Sequence, residues 1–213
     1  MTTGSLSQTA YRELLTRLLD GRLQAGDLID RKALAGELGM SVSPVVDALS
    51  HLANEGMVEI LPRRATRVRP VTAEVFREQI IFRTALEAQA ARLYCGKPVR
   101  DAYDRLSAMC TQIEEAPYGP ELWRGEADFH LALAKLAGAS TLVDALRRVL
   151  LFSHFAASHL IIHEDNPRRK HFPLLEALRT DDPDEAAAAV RHHMAVDREA
   201  VLRRGAVKDD VIL

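Results

Sequence analysis

The chain has 213 residues, 47% of them hydrophobic and 27% charged, with a formal net charge of −2. That is length for one or two domains with a real core, in an ordinary globular balance, and by itself the charge argues for no polyanionic partner. No apolar run approaches the length of a membrane span, so no membrane partner is expected. The start, MTTGSLSQTAYRELL, lacks the basic and apolar regions of a signal peptide. Cys95 and Cys110 have no metal-ligand spacing and read as reduced structural thiols of a cytoplasmic protein.

Residues 5 to 21 carry Leu14, Leu15, Leu18 and Leu19, an amphipathic first helix that ends at Gly21. The run GRLQAGDLI then reads as a loop and short strand. Leu34 and Leu38 recur at i, i+4 and stop at Gly39, a short helix that opens near Lys32. From Val42 a further pattern sets Val45, Ala48, Leu49 and Leu52 on one face and closes at Asn54-Glu55-Gly56. Two β-like runs follow, Met57 to Ile60 and Thr66 to Arg69, joined by Leu61-Pro62-Arg63-Arg64-Ala65. Helix, tight turn, helix and an arginine-bearing hairpin read as a winged helix-turn-helix, a module that reads double-stranded DNA. The candidates for contact are Lys32, then Ser41, Val42, Ser43, Val46 and Asp47 early in the recognition helix, and Arg63, Arg64 and Arg67 in the wing. Residues 1 to 70 carry a net charge of only +1 and the remainder −3, so the wing concentrates what positive charge there is for phosphates.

The stretch GDLIDRKALAGELGMSVSPVVDALSHLANEGMVEILPRRATRV resembles the N-terminal domain of GntR-type bacterial transcription regulators. Those chains typically read PG, an LA…LG helix, SRTPVREAL, L…EGLV and a wing RRG..V, and the likeness spans most of residues 8 to 70. The two arginines of the SRTPVRE run are Val42 and Val46 here, and the wing-tip glycine is Ala65. In the family those arginines contact the groove, so the resemblance implies an operator other than the usual one. The valines either touch thymine methyl groups, or pack, or belong to a DNA reader that has degenerated.

Pro70 to Ala73 breaks the strand pattern and marks the linker between a domain at 1–70 and a second at 71–213. Everything from Thr72 onward reads as helix: about 72 to 95, 98 to 115, 120 to 138, 140 to 164, 166 to 179 and 182 to 204. The expected fold is therefore mainly α, a winged helix-turn-helix followed by an antiparallel six-helix bundle.

Seven of the eight histidines follow residue 129. His130 shares a helical face with Trp123, Leu133 and Ala137, His171 with Leu174, Leu175 and Leu178, and His193 with Ala186, Ala189 and Val196. Three helices thus each turn one imidazole inward, and Glu126 lies four residues before His130 on the same face. A buried imidazole needs a hydrogen-bond partner or a metal. Three such nitrogens and a carboxylate suit a divalent cation, zinc or nickel, with a position left open. Asp128 is two residues from His130 and falls off that face. Arg83 sits among apolar positions of the first bundle helix, where it either pairs with Glu87 or offers a guanidinium to a carboxylate ligand.

The second half resembles the all-helical effector domain of the FadR-type branch of GntR regulators. That branch often carries D-x-x-x-H followed by two distant histidines, matched here by Glu126 to His130, by His171 in KHFPLLEAL and by His193 in AVRHHM. The resemblance implies a metal held by Glu126, His130, His171 and His193, an effector pocket lined by Arg83, and a homodimer. The expected function is a ligand-responsive regulator, a repressor, that answers to a small carboxylate effector and is no enzyme. A ligand-binding dimer with degenerate DNA reading is the first alternative. A metal-dependent hydrolase is the second, and the chain offers it neither a nucleophile motif nor a clearly placed general base.

Overall fold

The computed structural model describes residues 5–61, 65–117, 119–159 and 170–208, with side chains described as far as Ala195 except at 73 and 157. The chain divides into two compact units, residues 1–71 with 155–160, and residues 72–154 with 161–213.

In the first unit, α1 (Leu6–Leu19) begins at Ser5, whose hydroxyl accepts from the Gln8 amide while the Gln8 side chain accepts from the Ser5 amide. It buries Ala10, Leu14 and Leu18, and its main partner is α3 (Val42–Asn54), which buries Val45, Ala48, Leu49 and Leu52. Between them, α2 (Arg31–Glu37) is capped by the Asp30 carboxylate, which accepts from the amides of Lys32 and Ala33 and is lowered below the usual carboxylate range by those bonds. Gly39 turns the chain from α2 into α3 at φ 63°, a conformation that a side chain disfavours. The strands β1 (Leu28–Ile29), β2 (Val58–Ile60) and β3 (Thr66–Val68) form an antiparallel sheet in the order β1-β3-β2, with Leu28 and Glu59 on either side of Arg67. Thr66 is buried in the central strand and accepts from Arg31 Nε at 3.1 Å and Nη2 at 2.6 Å, which ties the start of α2 to the sheet.

The second unit opens with α4 (Ala73–Tyr94), capped by the Thr72 hydroxyl, which accepts from the Val75 amide. Then come α5 (Lys97–Asp101), α6 (Tyr103–Glu115), α7 (Pro120–Lys135), α8 (Ser140–His159), α9 (His171–Ala177) and α10 (Pro183–Lys208). α4 packs chiefly on α10 and also on α7, and α6 on α7 and α9. The described residues thus contain seven helices after the linker, not six. The expected helix at 98–115 is two, because Ala102 leaves helical geometry at φ −96°, ψ 4° and serves both as the end of α5 and the start of α6. The expected start of the fifth helix near Asn166-Pro167 lies outside the described residues, as do Arg63 and Arg64. The sequence boundary also needs one amendment. The last residues of α8 group with the first unit, where His159 Nε2 donates to the Leu23 carbonyl at 3.0 Å and Ser158 Oγ lies 3.4 Å from the Leu18 carbonyl.

Gly96 closes α4 at φ 76°, donates its amide to the Leu178 carbonyl at 3.1 Å, and leaves no room for a Cβ beside the Asp181 carboxylate. Gly96→Ala is expected to cost about 1–3 kcal/mol, read as a lower midpoint in thermal or urea unfolding. A midpoint equal to that of the parent would show that this turn carries no strain-sensitive contact.

Candidate functional site

Two regions carry chemistry, one in each unit. In the first, the geometry of α3 decides which residues are presented. Its apolar face is buried, which leaves Ser41, Val42, Ser43 and Asp47 exposed at its start and Val46 half-buried. The Ser41 hydroxyl makes no capping bond, and Val42 is 38% exposed although it is apolar. Lys32 is exposed on the first turn of α2. The wing is less positive than its arginine count suggests. Arg67 donates through Nη2 to Glu59 at 2.8 Å, and Arg69 Nε lies 3.8 Å from the other oxygen of the same carboxylate. Glu59 was legible only as one charge in a β-run, since register, not local spacing, sets it beside Arg67.

In the second unit, His130 on α7, His171 at the start of α9 and His193 on α10 come together in the interior, at 1%, 0% and 7% exposure. Their ring centroids are 5.0 to 5.6 Å apart, and one ligand nitrogen from each lies within 4.8 Å of the others. Phe129 stands edge-on to His130 and His171, which walls that side with an apolar ring. Three imidazoles from three helices are a donor set for a first-row cation, in which tetrahedral ligand nitrogens stand about 3.3 Å apart. Glu126 is half-buried one turn before His130, while Asp128 is exposed.

The carboxylate that does meet the cluster comes from another helix. Glu87 of α4 is buried, takes His130 Nδ1 at 2.5 Å on one oxygen, and accepts from Arg83 Nε at 2.6 Å on the other. Burial pushes its carboxyl up, but the charges and hydrogen bonds of His130 and Arg83 together outweigh that and hold it well below the usual range. An ionised carboxylate can only accept, so the proton of that contact belongs to Nδ1. That leaves Nε2 as the ring nitrogen that a cation would take in exchange for a proton. Arg83 is 4% exposed, and its Nη2 is buried with no hydrogen-bond partner among the described residues. The bidentate offer expected of Arg83 is therefore partly spent on Glu87, and one inward donor remains. Tyr94, seven residues after Glu87 on the same face, is also buried, and its hydroxyl is pushed far up by burial and by the Glu87 charge. The sequence held one sign of Glu87, its i, i+4 spacing from Arg83, which reads as a local ion pair and says nothing of His130.

Comparison with known proteins agrees with both halves. A family model described as FCD domain matches residues 79–196, and one described as bacterial regulatory proteins, gntR family, matches residues 6–68. A probable D-xylose utilization operon transcriptional repressor of Paenarthrobacter nicotinovorans is 28% identical over 188 residues, 85% of this chain and 82% of that protein. The HTH-type transcriptional repressor RspR of Escherichia coli K12 is 22% identical, covering 93% of this chain and 90% of its own length. Among solved structures, E. coli McbR/YncC superposes with a TM-score of 0.73 at 22% identity, over 95% of this chain and 99% of that one. A putative GntR regulator from Rhodococcus sp. RHA1 gives 0.74 at 20% identity, over 94% and 99%. With a winged helix-turn-helix in front and an FCD domain over more than half of its length, this chain belongs to the gntR family of bacterial transcription regulators.

Proposed function

We propose that this regulator is a ligand-responsive repressor of the FadR-type branch that works in the cytoplasm as a homodimer on an operator. Its helical domain holds a divalent cation, zinc or nickel, and a small organic acid. The observation that carries the reading is the convergence of three buried imidazoles beside a buried guanidinium in the FCD domain. Repression is supported by the names of the two relatives above. In this reading His130, His171 and His193 hold the cation, and Glu126, one turn from His130, adds a carboxylate oxygen. The cation, when bound, supplies a Lewis-acid anchor for an oxygen of the acid. Glu87 keeps His130 oriented, and Arg83 gives its remaining Nη2 donor to a second oxygen of the ligand. The apolar wall of Phe129 excludes water and strengthens each of these contacts. Such a ligand shifts DNA binding only by its difference in affinity between two conformations of the protein.

The reading is tested by fluorescence anisotropy of the protein's own upstream DNA, with zinc or nickel and a panel of small carboxylates. A complex that forms at low salt and dissociates with one carboxylate, but persists in His171→Ala, is the expected result. Absence of any complex with that DNA would defeat the proposal.

Glu87→Gln keeps shape but removes the charge that commits His130 to one tautomer. Competition against a chromogenic chelator should show metal affinity lower by about 10–100-fold, with DNA affinity of the metal-free protein unchanged. Equal affinity in the variant would remove Glu87 from the site.

Glu59→Gln should release Arg67 and Arg69 for phosphate. DNA affinity is expected to rise and the salt dependence of log K to steepen by about one. A slope identical to the parent's would mean that neither arginine approaches the backbone.

A further inference from the structure

The recognition helix carries no cation on its outward face over its first two turns. α3 buries Val45, Ala48, Leu49 and Leu52, which leaves Val42, Ser43, Val46 and Asp47 turned away from the core. These four form two rows at i, i+4 spacing, Val42 with Val46 and Ser43 with Asp47. One row is methyl groups, and Val42 stays 38% exposed. The other row ends in an exposed carboxylate. One turn after Val46, Ser50 donates its hydroxyl to the Val46 carbonyl at 2.9 Å and is spent within the helix. His51, the first side chain of α3 able to carry positive charge, comes one turn after Asp47 and lies edge-on to Tyr11. Lys32 belongs to α2 and is a point charge suited to phosphate.

Such side chains fit some base edges and oppose others. Guanine shows two acceptors in the major groove, O6 and N7, which call for a strong donor. An ionised aspartate only accepts, and valine has nothing to donate. Cytosine offers its N4 amino group as a donor, whereas adenine sets the acceptor N7 beside its amino group, where a carboxylate is repelled. Of the four bases only thymine carries a methyl group into the groove. We propose that α3 reads its half-site through thymine methyl groups against Val42 and Val46 and a cytosine amino group against Asp47, with no guanine read by a basic side chain. The two valines are about 6 Å apart along the helix axis and base pairs about 3.4 Å apart along the duplex, so the valines meet different base pairs, one or two steps apart. Ser43, whose hydroxyl both donates and accepts, suits either base edge beside them. The inference rests on the operator binding proposed above and names the bases that decide it.

The full chain is used to enrich binders at low salt from a library of duplexes with a randomised core. In the enriched sequence each thymine is then replaced in turn by deoxyuridine, which keeps the pairing edge and removes only the methyl group. One or two replacements in each half-site are expected to weaken binding about fourfold apiece, the value of one buried carbon. In Val42→Ala with Val46→Ala the same replacements should change nothing, and Val42→Ala alone, at an exposed position, should cancel one of them. Enrichment with Asp47→Asn should exchange the cytosine for adenine, and with Val42→Arg should exchange a thymine for guanine. If a sequence is enriched but tolerates every uracil, or if the penalty persists in the valine variants, methyl reading falls and DNA binding stands. An unchanged consensus in Asp47→Asn removes the cytosine contact. If no sequence is enriched over the starting library, the operator binding itself falls.

Discussion

A carboxylate taken out of water has to be held by charge on more than one side, and Glu87 is held on two. Arg83 Nε approaches one oxygen at 2.6 Å and His130 Nδ1 the other at 2.5 Å, with all three groups buried. Removing any member leaves an uncompensated charge or donor in the interior, which is costly. The value of the arrangement lies less in stability than in orientation. A ring held at Nδ1 cannot flip, so its Nε2 stays aimed towards the space shared with His171 and His193. The rest of the second unit serves this geometry: α7 brings His130, α9 begins at His171, α10 carries His193, and α4 supplies the two groups behind them.

The DNA-reading end is organised by a different economy. Its core is ordinary apolar packing between α1 and α3, and its polar chemistry is spent on internal bonds. Arg31 serves Thr66, and Arg67 and Arg69 share Glu59, so several cations of this basic module have internal partners. What α3 presents outward is two serines, an aspartate and a solvent-exposed valine, a set better suited to reading base edges and methyl groups than to gripping phosphate. In the proposed homodimer, affinity would gain from two copies held at fixed spacing.

Much of this was legible without coordinates. The glycine stops at Gly21, Gly39, Gly56 and Gly96 and the caps at Thr72 and Pro120 place the helix ends to within a few residues. The inward faces of His130, His171 and His193 follow from helical periodicity alone. The failures are equally physical. The break at Ala102 has no glycine, proline or side-chain cap at that position to announce it. Glu87 gave no such sign, because the carboxylate bonded to His130 arrives from α4, 43 residues away, and local spacing reaches only neighbours on the same helix. Periodicity reports which way a side chain points, not which neighbour it meets. The grouping of the end of α8 with the first unit is missed for the same reason, because Ser158 and His159 find their partners at Leu18 and Leu23.

α4 brings these threads together. One face holds Arg83 and Glu87 against the imidazoles, and the other carries Ile81, Phe82 and Leu93 to the surface. Both faces belong to one helix about 10–12 Å across. In the proposed function α4 would be the element that an acid bound at Arg83 biases. An acid that drew the Arg83 guanidinium away from Glu87 would loosen the restraint on His130. That gives a carboxylate two unequal states to choose between, and the inequality is what an effector must exploit. A ligand that bound the cation without engaging Arg83 would occupy the same pocket and leave α4 where it was. In the proposed function, affinity for the cation and power over DNA would be separable properties of a ligand, with the guanidinium as the group that separates them.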